Sequence, residues 1–126
     1  MIKLLGAAAA VCLLAGTASA FDNSTCATFL TGGWNAQITV SEKVQYIHVD
    51  YTADGTAATR YDKMVDGALQ PGKLIPVGKW LAKPGTSPDN CAFALVDDGG
   101  KEHWSELTVT DETTYVAKGT LYRRGQ

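Results

Sequence analysis

Two histidines, three cysteines and two pairs of nearby carboxylates are the groups in this 126-residue chain that could do chemistry. His48 shares a strand face with Asp50 under two-residue alternation, and Asp62 could come alongside. A zinc-type centre needs three or four converging ligands, and this set reads instead as a partly exposed, solvated histidine beside polar neighbours. Asp97-Asp98-Gly99-Gly100 offers two adjacent carboxylates before a glycine pair, which is turn composition rather than a calcium loop. Glu102 and Glu106 would share one face of a strand with Trp104 between them; they read as a wet face rather than an acid/base pair. The chain carries no nucleophile elbow, P-loop, H-E-x-x-H or G-x-G-x-x-G. The expectation is a non-enzymatic protein with no catalytic residue, no metal and no cofactor.

The cysteines are read through the compartment. Met1-Ile2-Lys3 is a short positive segment, residues 4–15 are an uncharged apolar run, and Ala18 and Ala20 are the small residues that a signal peptidase reads. The run is shorter than the roughly 20 residues that span a bilayer. Residues 1–20 are therefore expected to be a cleaved, bacterial-style signal peptide, and residues 21–126 a single exported domain in the periplasm or medium, with no membrane anchor. Cys12 leaves with the signal. Cys26 and Cys91 remain, in a compartment where disulfides persist and without C-x-x-C spacing, so one structural bridge is expected. Removing Lys3 leaves ten basic residues against thirteen acidic ones, interspersed. No basic stripe exists for phosphates, which argues against nucleic acid.

The positioning elements follow from a period of two. Trp34, Ala36, Ile38 and Val40 alternate with Asn35, Gln37 and Thr39. Residues 44–51, 56–65 and 74–83 read as the next three strands, with Pro76 marking an edge or a bulge. A fifth strand carries Cys91, Phe93 and Leu95 on one face. A sixth covers about residues 101–109, and residues 113–124 form one long strand or two broken at Gly119. Asp54-Gly55, Asp66-Gly67 and Pro71-Gly72 are turn signals. One helical turn fits residues 22–30, capped by Asp22 or Asn23. The fold class is all-β: seven to eight antiparallel strands in an up-and-down barrel or a sandwich.

Gly32-Gly33-Trp34 opens the first strand, and Gly119-Thr120-Leu121-Tyr122-Arg123-Arg124 closes the last. This resembles the lipocalin-like, or calycin, barrels, in which a G-x-W begins the first strand and an arginine near the end of the last packs across the tryptophan. The Asp54-Gly55-Thr56 turn followed by Gly78-Lys79-Trp80 is similar to small bacterial members. The resemblance implies that Trp34 plugs the closed end, with Arg123 or Arg124 above it through a cation–π contact. A second resemblance is to bacterial periplasmic inhibitors of secreted metalloproteases, whose N-terminal segment enters a protease cleft; residues 21–25 would be that arm.

The favoured expectation is a binder of a small, compact apolar ligand in the barrel mouth, with Tyr46, His48, Phe93 and Trp104 as lining residues. Trp104 has the opposite parity to Leu107 and Val109, so only a bulge would bring all three inside. The alternative is a protein partner such as a protease.

Overall fold

The computed structural model describes residues 21–125. The expected signal peptide, Cys12 included, lies outside the described residues. A 3-10 turn (Asn23–Thr25) leads into a short helix α1 (Cys26–Leu30). Nine strands follow: β1 Gly32–Val40, β2 Lys43–Tyr51, β3 Thr56–Val65, β4 Ala68–Gln70, β5 Ile75–Pro84, β6 Asn90–Val96, β7 Glu102–Asp111, β8 Thr114–Ala117 and β9 Thr120–Arg124. Every pairing is antiparallel; the ladders join chain neighbours except that β3 pairs with both β4 and β5, and β9 returns to pair with β1. Eight strands thus close a barrel, and closure removes the unpaired edges an open sheet would show.

β4 was not expected, and its origin is a break rather than a new hairpin arm. Lys63 faces Gln70 and Thr59 faces Ile75, so four steps along β3 match five along the other arm. Pro71 and Gly72 interrupt that arm, because proline cannot donate to the ladder. A Cβ at Gly72 would lie 2.0 Å from the Tyr61 carbonyl oxygen, so only glycine fits against β3 there. A second irregularity places Ala57 opposite Gly78 and Ala58 opposite Pro76, leaving Val77 as an extra residue beside the proline. Residues 113–124 are two strands, joined at Lys118-Gly119, whose positive φ values of 52° and 78° suit a two-residue hairpin turn.

Alternation sorts the side chains. Trp34, Ala36 and Ile38 of β1 face inward with Ile47, Val49 and Tyr51 of β2, Cys91, Phe93 and Leu95 of β6, and Tyr115 and Ala117 of β8. α1 closes one end, where Leu30 and Trp34 are buried completely. Asp22 caps the 3-10 turn by accepting from the Ser24 N–H at 3.0 Å. Cys26 of α1 is bridged to Cys91 at the start of β6, 65 residues on, with Cα atoms 5.8 Å apart. Among the described residues no helix is long and apolar enough to cross a membrane.

Candidate functional site

Trp34 organises the closed end. It is 0% exposed, its indole N–H donates to the Leu30 carbonyl at 2.9 Å, and Tyr115 meets it edge-on at 4.7 Å. Arg124 pairs directly across from it in the β9–β1 ladder, and its guanidinium stands 4.2 Å above the ring. The same guanidinium donates to the Thr31 carbonyl at 3.0 Å and the Phe29 carbonyl at 2.5 Å, capping the helix C-terminus, where free carbonyls favour a cation. Arg123 has the opposite parity and points out. The arginine above the tryptophan is therefore Arg124. Gly33 is small for a related reason: a Cβ there would lie 2.4 Å from the Gly125 carbonyl oxygen and 2.9 Å from His48 Cε1.

Above this floor the barrel holds a cavity of about 480 Å³. Aliphatic lining comes from Ile38, Ile47, Val49, Val77 and Leu95; aromatic lining comes from Phe93, Tyr51, Tyr61, Tyr115 and Tyr122. Tyr115 and Tyr122 stack at 4.8 Å. Tyr61, 54% exposed, stands near the open end, and His103 and Lys118 supply basic groups there. His103 Nε2 lies 2.9 Å from Asp97 Oδ2, while Asp97 Oδ1 accepts from the Gly99 and Lys101 N–H groups. These bonds, that of His103 first, hold the Asp97 carboxyl below its usual range. Asp97 is thus the knot of a turn.

Of the four residues expected to line the interior, only Phe93 does. Tyr46, His48 and Trp104 stand on the outer face, because β2 and β7 turn the opposite parity inward. On β2 the inward set is Ile47, Val49 and Tyr51; on β7 it is His103, Ser105, Leu107 and Val109. No bulge interrupts β7 between Trp104 and Leu107, so Trp104 stays outside, where it donates to Glu102 Oε1 at 2.9 Å with the Lys83 ammonium 4.2 Å over its ring. On β2 the inward set is the apolar side of the alternation, whereas on β7 it begins with His103 and Ser105, so polarity does not mark it there. The interior tyrosines could be found by the apolar residues that share their faces, Tyr51 by Val49 and Tyr115 by Ala117.

His48 also departs from expectation in burial: it is 1% exposed rather than solvated. Its Nδ1 lies 2.6 Å from Asn35 Oδ1 and its Nε2 2.9 Å from Asp50 Oδ1, so both nitrogens are occupied in a bridge between β1 and β2. Among the described residues no group of three or more His, Cys, Asp or Glu side chains is placed to hold a metal ion. Glu102 and Glu106 serve different partners: Glu106 Oε1 accepts from Asn90 and Thr86. Residues 21–25 are folded down, not extended. Phe21 packs edge-on against Phe29 at 5.2 Å, and Asn23 donates to the Ser87 carbonyl at 3.2 Å.

The tyrosine cluster carries a pH prediction. Burial pushes Tyr51 up to about 12, partly opposed by the Tyr115 hydroxyl that donates to it. Tyr115 is raised further, first by burial, then by the Tyr51 charge and the bond it donates. In the unfolded chain both titrate near 10.0. The native state then binds more protons above that pH, so stability is complete below pH 10 and falls above it, by about 1.4 kcal/mol per pH unit for each tyrosine. Urea midpoints measured just below and just above pH 10 should show the decline. A flat profile would mean that the two phenols are hydrated in the native state.

An all-β, eight-stranded closed antiparallel barrel with one extra strand and one disulfide is consistent with a calycin-like fold. Comparison with protein families, curated proteins and solved structures gives no match to this chain.

Proposed function

We propose that this is an exported, non-enzymatic, lipocalin-like protein that holds a small apolar ligand inside its barrel. The observation that carries the reading is the 480 Å³ interior cavity with its aromatic and aliphatic lining. Its volume lies within the roughly 300–1,000 Å³ range of small-molecule sites. It suits a compact ligand rather than a long acyl chain, since Trp34 and the stacked Tyr115 and Tyr122 block the way toward α1. Export is supported by the signal-like residues 1–20 and by the Cys26–Cys91 bridge, which belongs in an oxidising compartment. A protease-inhibiting role draws no support from residues 21–25, which pack on the barrel's own closed end.

The test is titration with N-phenyl-1-naphthylamine, an uncharged fluorescent probe. Saturable micromolar binding is expected, with a rise in melting temperature, because a ligand bound only to the native state adds stability. Phe93→Ala should weaken binding about tenfold while leaving the circular dichroism spectrum unchanged. Ile38→Trp, which fills the cavity from β1, should abolish it. Absence of saturable binding, or binding indifferent to both substitutions, would refute the interior site. Native mass spectrometry of protein taken from its host would then identify any co-purifying molecule.

A further inference from the structure

A second hollow, of about 520 Å³, lies on the opposite side of the sheet from the ligand cavity. It runs over the outer face of β9, β1, β2 and β3. The ladders align Arg123, Asn35, His48 and Arg60 in one cross-strand row, and Gln37, Tyr46 and Asp62 in the next. Asp62 is the informative residue. Its side chain is only 4% exposed, and its Oδ1 accepts two bonds, from Arg60 Nε at 2.8 Å and from the Gly72 N–H at 2.9 Å. Its Oδ2 has no partner among the described residues. Burial pushes this carboxyl up, but the Arg60 bond, the Gly72 N–H and the charges of Arg60 and His48 outweigh it, leaving the group below its usual range. A covered, ionised oxygen with its lone pairs unused calls for donors.

Leu69 of β4 and Leu121 of β9 give the hollow apolar walls, and its other polar groups repeat that demand in both directions. The Gln37 amide, the Tyr46 hydroxyl and the Arg123 guanidinium make no side-chain hydrogen bond or ion pair to the described residues, and all three residues line the hollow. Of the charged residues that line the hollow, Arg124 is turned to the Phe29 and Thr31 carbonyls and Asp62 is paired with Arg60, which leaves Arg123 without a side-chain partner among the described residues. The Asp62 carboxylate opposes an anion at one end of the hollow, and the Arg123 guanidinium opposes a polycation at the other. A free ammonium group is disfavoured at Asp62 as well, since Arg60 already neutralises it. Hydroxyl groups fit, because each can donate to Asp62 Oδ2 or accept from Gln37 and Arg123. Tyr46 adds a ring face for C–H groups. From β9 to β3 is about 14 Å at ordinary strand spacing, more than a single sugar ring covers even after the reach of Arg123 is subtracted.

We propose that this outer hollow is a binding site for a neutral saccharide of about disaccharide length, held between Arg123 and Asp62 across Gln37 and Tyr46. The site is separate from the interior cavity and does not depend on it.

The experiment is an amide NMR titration of the protein with maltose, cellobiose and N,N′-diacetylchitobiose, and with the dipeptide Ala-Ala for comparison. At least one disaccharide should shift the Gly72 backbone amide and the Gln37 side-chain amide saturably, with millimolar affinity, while the Phe93 and Leu95 amides stay in place. Gln37→Ala and Asp62→Asn should each weaken that binding about tenfold, the loss of one hydrogen bond, strengthened at Asp62 by charge. Gln37 is exposed and leaves the fold intact, so its variant remains informative should Asp62→Asn disturb the β3–Gly72 bond. The proposal is overturned if no disaccharide gives saturable shifts, if affinity is unchanged in Gln37→Ala, or if the shifts map to the interior. Binding of Ala-Ala alone would overturn it also, by assigning the hollow to a zwitterionic peptide.

Discussion

Trp34→Ala is expected to destabilise the barrel by about 3–5 kcal/mol, the cost of truncating a large aromatic residue in a core that cannot close around the gap. Three losses coincide at this position. The fully buried indole leaves a cavity under α1. The Leu30 carbonyl loses its donor inside the protein. Arg124 loses the ring it lies over. Urea unfolding followed by far-ultraviolet circular dichroism reads the total. The separate contribution of the arginine comes from a double-mutant cycle with Arg124→Ala, where a coupling of about 1 kcal/mol is expected, since contacting residues are not additive. Arg123→Ala is the control and should add independently, because its side chain leaves the other face of β9. Additivity for Arg124, or coupling for Arg123, would contradict the geometry of the closed end.

Cys26→Ser and Cys91→Ser should each cost about 4 kcal/mol, the chain-entropy value for a loop of this length, and the double variant should be no worse than either single one. All three lose the same cross-link, which ties α1 to β6 across 65 residues. Against a typical net stability of roughly 5–15 kcal/mol, such a loss leaves the domain marginal. Denaturation with and without a reductant that enters the unfolded state gives the same comparison without mutagenesis. Intact mass of the exported protein should show a start at Phe21 and two hydrogens fewer than the free dithiol. Two free thiols, or a double variant far less stable than the singles, would show that the bridge does not act as a single cross-link.

Much of the architecture was legible because its signals are local. The alternation Trp34, Ala36, Ile38 is a property of one strand, and glycine at positions 55, 67 and 119 marks backbone that must adopt positive φ. Cys26 and Cys91 had one pairing available once Cys12 was assigned to the signal. The short β4 escaped because Pro71-Gly72 reads as a turn between two strands rather than as a break within one arm of a hairpin. Tyr46, His48 and Trp104 were placed inside because a strand's sequence gives two faces without saying which is the inner one. Tyrosines sit on both faces of β2, and β7 turns His103 and Ser105 inward while Trp104 stays outside, so neither size nor polarity could choose the face.

The amino-acid sequence by itself determined the strand count to within one and the pairing of the two cysteines, and its resemblance to calycin barrels implied a tryptophan and an arginine at one end. Only the tertiary structure decided which arginine that is, because Arg123 and Arg124 differ by a single step of the pleat, and a one-residue change of register exchanges the two faces. The same holds for His48, whose burial depends on Asn35 and Asp50 converging from two strands. It holds as well for the two hollows, whose walls come from strands distant in sequence. Spacing along a chain records local geometry; a cavity or an unpaired carboxylate oxygen exists only once the barrel has closed.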